Sequence, residues 1–229
     1  MWIDKFMNAQ NQARVEKAVQ EAEKFTAGEI VPMIVRRSTG VGHVAPILFL
    51  SFLLFISLSD FIFLKYESTL NELLFYFFGS AVSFDVFLVL ITLILIGLAG
   101  FSSFYLARFD FFQRLLTADY DLDFQARERA QLEFYWSKTN QTESRTGILI
   151  FLSLMEHRCV VLADETIAGK LPATIWQSVV DQVLAGVKRG QPTEGLTEAI
   201  HTCGEILAKH FPGQISGPNE LSNLLIIKE

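Results

Sequence analysis

Asp164 and Glu165 stand side by side directly after residues 158–163, an apolar run that reads as a strand. A carboxylate pair at a strand end can hold a hard divalent cation such as calcium, or exchange protons as general acid and base. Arg145, just before a second apolar run, carries a planar fork of donors that fits phosphate. Together the three would make a metal-assisted phosphatase site. Each also has a structural use: a carboxylate there can cap the next turn, and Arg145 or Arg158 can pair with it. The catalytic candidates are therefore Asp164, Glu165 and Arg145, and the metal candidates are Asp164 and Glu165. No organic cofactor is expected.

Other residues are weaker candidates. Asp119, Asp121 and Asp123 have the alternate spacing of the first half of a calcium loop. Phe124 stands where such a loop needs glycine and Ala130 where it needs a bidentate glutamate, so an acidic helix start is the expected role. An aspartyl-phosphate mechanism at Asp121 and Asp123 lacks the preceding strand. Cys203 lies in a helical apolar pattern, and Lys209 stands where cysteine phosphatases place their phosphate-binding arginine. Cys159 and Cys203 both read as reduced core residues. The histidines are scattered, with no CxxC and no Cys/His cluster to suggest zinc. Gly40 and Gly42 form a GxG, but an apolar helix follows instead of a nucleotide-binding unit.

These residues are divided by a hydrophobic block. The chain has 229 residues, a net charge of −6 and a mean hydropathy of +0.33. The negative balance argues against a nucleic-acid partner. Residues 44–64 and 86–106 are each long enough to cross a bilayer as a helix, so 44–106 is expected to be a transmembrane hairpin. Arg36 and Arg37 precede the block and Arg108 and Arg114 follow it, whereas Lys65 is the one basic residue between the spans. The positive-inside rule then places both termini in the cytoplasm of a multi-pass inner-membrane protein. Met1 to Lys5 lead into charged helical sequence, not a signal peptide, so the first span serves as its own targeting signal. Residues 65–85 are expected to form a short connection, with the aromatic run 73–78 at the interface. Asp60 and Asp85 read as interfacial charges; an ion pathway would need a bundle interior for them to face.

Outside the block the periodicity alternates between helix and strand. Val15, Val19, Ala22 and Phe25 mark a helix over 8–25, and 29–36 reads as a strand in which Pro32 demands an edge or a first position. Residues 38–42 read as a flexible joint. A helix is expected over 122–138, a central strand over 147–154, a turn at 155–157 and a partner strand over 158–163. Pro172 opens a helix ending at Gly190, and Thr193 opens another that stops at Phe211-Pro212. The tail, 214–229, has no clear period. The expected fold class is α/β: a small mixed sheet covered by helices on both faces and interrupted by a two-helix transmembrane hairpin. Residues 1–43 and 107–213 would be the two parts of one cytoplasmic domain.

Glu29-Ile30-Val31, then Thr142 with Arg145-Thr146-Gly147-Ile148-Leu149-Ile150, Glu156-His157-Arg158, Ala163-Asp164 and Ile167 resemble the TPM domain. That family is named for a thylakoid lumen protein, a photosystem II repair factor and a worm receptor modulator. Trp176, Gly190, Gly195, Ala199-Ile200, Cys203-Gly204, Phe211-Pro212 and Asn219-Glu220-Leu221 are similar to a bacterial membrane branch, in which a transmembrane hairpin interrupts the domain after its first strand. The resemblance implies a mixed α/β sandwich. It leaves activity open, because some members are acid phosphatases, some bind calcium and others are accessory proteins of membrane complexes. The expectation is thus a membrane-anchored module without enzymatic activity. Its partners would be the lipid bilayer and either another membrane protein or a second copy. Metal-assisted phosphatase activity is the alternative.

Overall fold

The computed structural model describes residues 8–38, 40, 42–78, 84–142, 145–213 and 221–228. The expectations for residues 1–5, for Thr39 and Val41 of the joint, for 79–83 of the connection and for 214–220 of the tail lie outside these. The chain forms two compact units, one drawn from 1–40 and 119–229 and the other from 41–118. The second unit includes a short helix that follows the second long apolar helix.

In the first unit, β1 (Glu29–Val35), β2 (Gly147–Ser153), β3 (Arg158–Ala163) and β4 (Ile226–Lys228) form a mixed sheet in the order β3-β2-β1-β4. β1 runs parallel to β2 and to β4, and β2 is antiparallel to β3. β2 is buried along its whole length, as its continuous apolar sequence requires of a strand covered on both faces. Alternate β1 residues point to opposite layers. Ile30 and Ile34 pack under α1 (Ala9–Glu23), α8 (Gln177–Lys188) and α9 (Pro192–His210), whereas Val31, Met33 and Val35 face α6 (Asp119–Trp136). The α/β sandwich with helices on both faces is thus formed.

The second unit holds α2 (Val44–Lys65), α3 (Glu67–Phe78), α4 (Phe84–Leu106) and α5 (Asp110–Leu115). At 22 and 23 residues, α2 and α4 are about 33 and 35 Å long, enough to cross a membrane. Most of their large apolar side chains are exposed, including Leu54, Phe55, Phe61, Leu93 and Phe101. Helices of a soluble core would bury that surface. Val44 and Ile56 of α2 and Phe84, Ala99 and Ser103 of α4 are the buried residues of the two helices.

Four details depart from the expectations. The connection at 65–85 contains a helix, α3, because Leu70, Leu73 and Phe77 recur at helical spacing. α4 begins at Phe84, which puts Asp85 in its first turn, where the helix dipole favours a carboxylate. α6 starts at Asp119 for the same reason and ends at Trp136. The tail supplies β4, three residues too short to show a period. α7 (Glu165–Ala168), a single turn after β3, and a 3-10 turn at Ala173–Trp176 precede α8.

Close helix crossings depend on glycine at two places. A Cβ on Gly186 would lie 2.6 Å from the Cα of Gly195, and one on Gly204 would lie 2.6 Å from the Cβ of Ala22. Both are below any tolerated contact, so the α8/α9 and α1/α9 crossings require these glycines.

Candidate functional site

The structure brings Arg145, Asp164 and Glu165 to one corner of the sheet. Asp164 follows β3, and its N–H donates to the Gly147 carbonyl at 2.9 Å, extending the β2–β3 pairing by one residue. Its Oδ1 accepts from the Glu165 N–H at 2.7 Å, and its carbonyl accepts from the N–H groups of Ile167 and Ala168. Asp164 is therefore the N-cap of α7. It is only 7% exposed, and its Oδ2 is buried without a hydrogen-bond partner in the structure.

Glu165 reaches outward instead, and its Oε2 accepts from Arg145 Nη1 at 2.5 Å. Both side chains of that pair are well exposed, so it contributes at most about 1 kcal/mol. Arg145 sits in left-handed backbone, φ 51°, a conformation that costs a non-glycine residue about 1 kcal/mol or more. The guanidinium assigned to phosphate thus has an internal carboxylate partner. The corner offers one buried carboxylate oxygen and one exposed, paired carboxylate. Those could supply a minority of the six to eight oxygens that calcium takes.

Arg158, the other partner considered for the Asp164 pair, lies at the opposite end of the sheet. It donates through Nε to Asp123 and through Nη2 to Asp119 at 2.8 Å. Two of the three calcium-loop aspartates are therefore ion-pair partners at the start of α6. Two residues earlier is Glu156, in the turn expected at 155–157. It is fully buried. Its Oε1 accepts from the Ser38 N–H at 2.8 Å and its Oε2 from the Ser153 hydroxyl. One tight turn between β2 and β3 thus fastens the chain where it leaves β1, at Ser38, and where it begins α6, at Asp119 and Asp123. A charged Glu-His-Arg turn gives no sequence signal that its first residue is buried.

Two further carboxylates, one buried and one half-buried, organise the C-terminal segment. Glu133 on α6 is fully buried and pairs with Arg129 at 2.8 Å and Lys228 of β4 at 2.5 Å. Glu23, at the end of α1, accepts from the Ile30 N–H and from the Asn223 side-chain amide, each at 2.7 Å. Burial, reinforced by neighbouring Glu29 and opposed by those two donors, pushes the Glu23 carboxyl up to about 8.

Cys159 and Cys203 are free thiols. Burial pushes Cys159 up to about 12, although the residue keeps some exposed surface. Burial and then the Glu23 charge push Cys203 above the usual thiol range. Neither has the thiolate character of a nucleophile. An open hollow of about 210 Å³ lies at the start of α9, lined by Asn11, Arg14 and Gly190 to Glu194; none of the predicted site residues borders it. Among the described residues no three His, Cys, Asp or Glu side chains come together as a metal-ligand group.

In the hairpin, Asp60 lies near the far end of α2, five residues before Lys65. Both its carboxylate oxygens accept from the Thr92 hydroxyl of α4, at 3.1 and 3.0 Å.

No family model and no curated protein sequence matches the chain. A solved structure similar in fold is the NMR structure of BA42 protein from the psychrophilic bacteria Bizionia argentinensis sp. nov.. It aligns with a TM-score of 0.55 at 17% identity, over 97% of this chain and 95% of that one. At that identity the likeness is one of fold, and it agrees with the mixed α/β architecture.

Proposed function

We propose that this protein is a bacterial inner-membrane module of TPM type. In this reading an α/β domain, with both termini in the cytoplasm, is anchored by a transmembrane hairpin and binds a partner or assists assembly of a membrane complex without catalysing a reaction. The observation that carries it is the pair of helices, 22 and 23 residues long, that expose most of their large apolar side chains yet interrupt a sandwich with its own closed core. A membrane is the solvent that accepts such helices. The cytoplasmic assignment rests on the arginines flanking the hairpin. The proposal is tested by photo-cross-linking from exposed positions of the domain, Phe25 and Leu224, in native membranes. A discrete partner or self-adduct is expected, and its absence from both positions overturns the reading.

The unpartnered, buried Oδ2 of Asp164 supports a second reading, a metal-assisted phosphatase using Asp164, Glu165 and Arg145. Purified protein would then release phosphate, and Asp164→Ala would abolish that activity. Unchanged activity in the variant removes these residues from the reaction.

A further inference from the structure

The apolar surface of the α/β unit is one-sided. Among its described residues, the large apolar side chains left exposed are Phe25, Tyr120, Phe124, Leu132, Tyr135, Trp136 and Leu224, and five of these seven belong to α6. α8 and α9, in the layer across the sheet, contribute none. α6 turns small residues inward, Ala126 and Ala130, with Leu122 and Phe134. Tyr120, Phe124, Leu132 and Tyr135 follow one another at multiples of three and four residues along its outer side, with the rings of Tyr120 and Phe124 stacked 6.3 Å apart. A soluble domain has no reason to gather its exposed aromatics on one helix.

Three observations favour lipid as the occupant. The side chains are mainly Tyr, Trp and Phe, whose rings suit the headgroup region because one edge is apolar and, in Tyr and Trp, another is a donor. The exposed series continues back along the chain through Leu115, Phe111, Phe109 and Tyr105 to the end of α4, and Arg108, Arg114 and Arg127 are interspersed. The anchor also raises the effective concentration of bilayer near α6, so a weak affinity for the interface is expressed in full. Asp121 and Glu128 share the outer side, which sets the depth at the headgroups and not among the acyl chains.

We infer that the outer face of α6 is seated on the bilayer surface, with Tyr120, Phe124, Leu132 and Tyr135 in the headgroup layer. The inference rests on the membrane-anchored reading above.

The test uses full-length protein in vesicles of phosphatidylethanolamine and phosphatidylglycerol. Single cysteines replace Phe124, Leu132 or Tyr135, with Leu93→Cys in α4 and Lys188→Cys on α8 as references. The parent protein, with Cys159 and Cys203 in place, is the labelling blank. Each site carries a nitroxide and is probed with oxygen, which enters lipid, and with a nickel chelate, which stays in water. The three α6 labels are expected to show an oxygen-to-nickel ratio a few-fold above that at Lys188→Cys and well below the value at Leu93→Cys, as headgroup depth requires. If Leu93→Cys itself behaves as a water-exposed site, the anchored reading fails. If Leu93→Cys reports lipid but the α6 sites match Lys188→Cys, or are shielded from both probes as a protein contact would make them, the α6 inference alone is overturned.

Discussion

At the scale of single residues, the corner at Asp164 shows how one carboxylate can have two sides. Oδ1 caps α7, and Oδ2 is enclosed without a partner. Asp164→Ala should cost about 1 kcal/mol for the lost cap, whereas Asp164→Asn, which keeps an acceptor, should cost only a fraction of that; urea denaturation distinguishes them. If the corner holds a cation, calcium or magnesium will raise the unfolding midpoint of the parent but not of Asp164→Asn. Glu23 makes a separate prediction. Its folded value near 8 lies above the ordinary carboxylate value of 4.5, so folding favours the protonated form. The stability it contributes is complete below pH 4.5 and is lost as pH rises towards 8. Glu23→Gln should flatten stability across that window, the slope from one proton being capped at about 1.4 kcal/mol per pH unit. Partial exposure makes the observed slope smaller. Parallel pH profiles for the two proteins that superimpose would show Glu23 to be ordinary.

At the scale of elements, the outer edge of β1 is closed by three different means. The Ile30 N–H is capped by Glu23, Pro32 has no N–H, and β4 pairs with Met33 to Val35, after which the Arg36 N–H donates to the Lys228 carbonyl. An edge left open would invite pairing with another chain. β4 is too short to hold by its ladder alone and depends on Lys228 meeting Glu133. Glu133→Ala removes a buried charge from between Arg129 and Lys228 and should destabilise the domain by about 3 kcal/mol, with faster amide exchange at 226–228. Gly204→Val should be similarly damaging, about 3 kcal/mol, because the added carbons meet Ala22 across a crossing with no room. A loss below 1 kcal/mol in either variant would mean that the segment concerned relaxes freely.

At the scale of the whole molecule, two units with separate cores should not unfold together. In detergent, heating is expected to abolish the near-UV signal of the sandwich while much of the far-UV helical signal of the hairpin persists; one coincident transition by both probes would contradict this. Within the hairpin, Asp60 and Thr92 make a seam hydrogen bond. Bonds of this kind contribute about 0.6 kcal/mol on average, so Thr92→Val should leave the hairpin intact.

Residue periodicity and apolar run length determined by themselves α1, α6, α8 and α9, the three longer strands, the α/β class and the two long apolar helices, but not the short helices α3, α5 and α7. These are local properties: Val15, Val19 and Ala22 share a helix face, and residues 147–153 are buried on both sides, whatever their neighbours are. Asp164, Glu165 and Arg145 were legible as residue types in suggestive places, because a strand end is visible in sequence. That Arg145 pairs with Glu165, and that Asp164 turns one oxygen inward, was decided by the tertiary structure, since both depend on backbone turns at 145 and 164. Glu156 and Glu133 were illegible as buried groups, and Glu23 as a half-buried one. Their partners, Ser38, Lys228 and Asn223, are far away along the chain, and only the closing of the sheet brings each pair within hydrogen-bonding distance and makes a buried carboxylate tolerable.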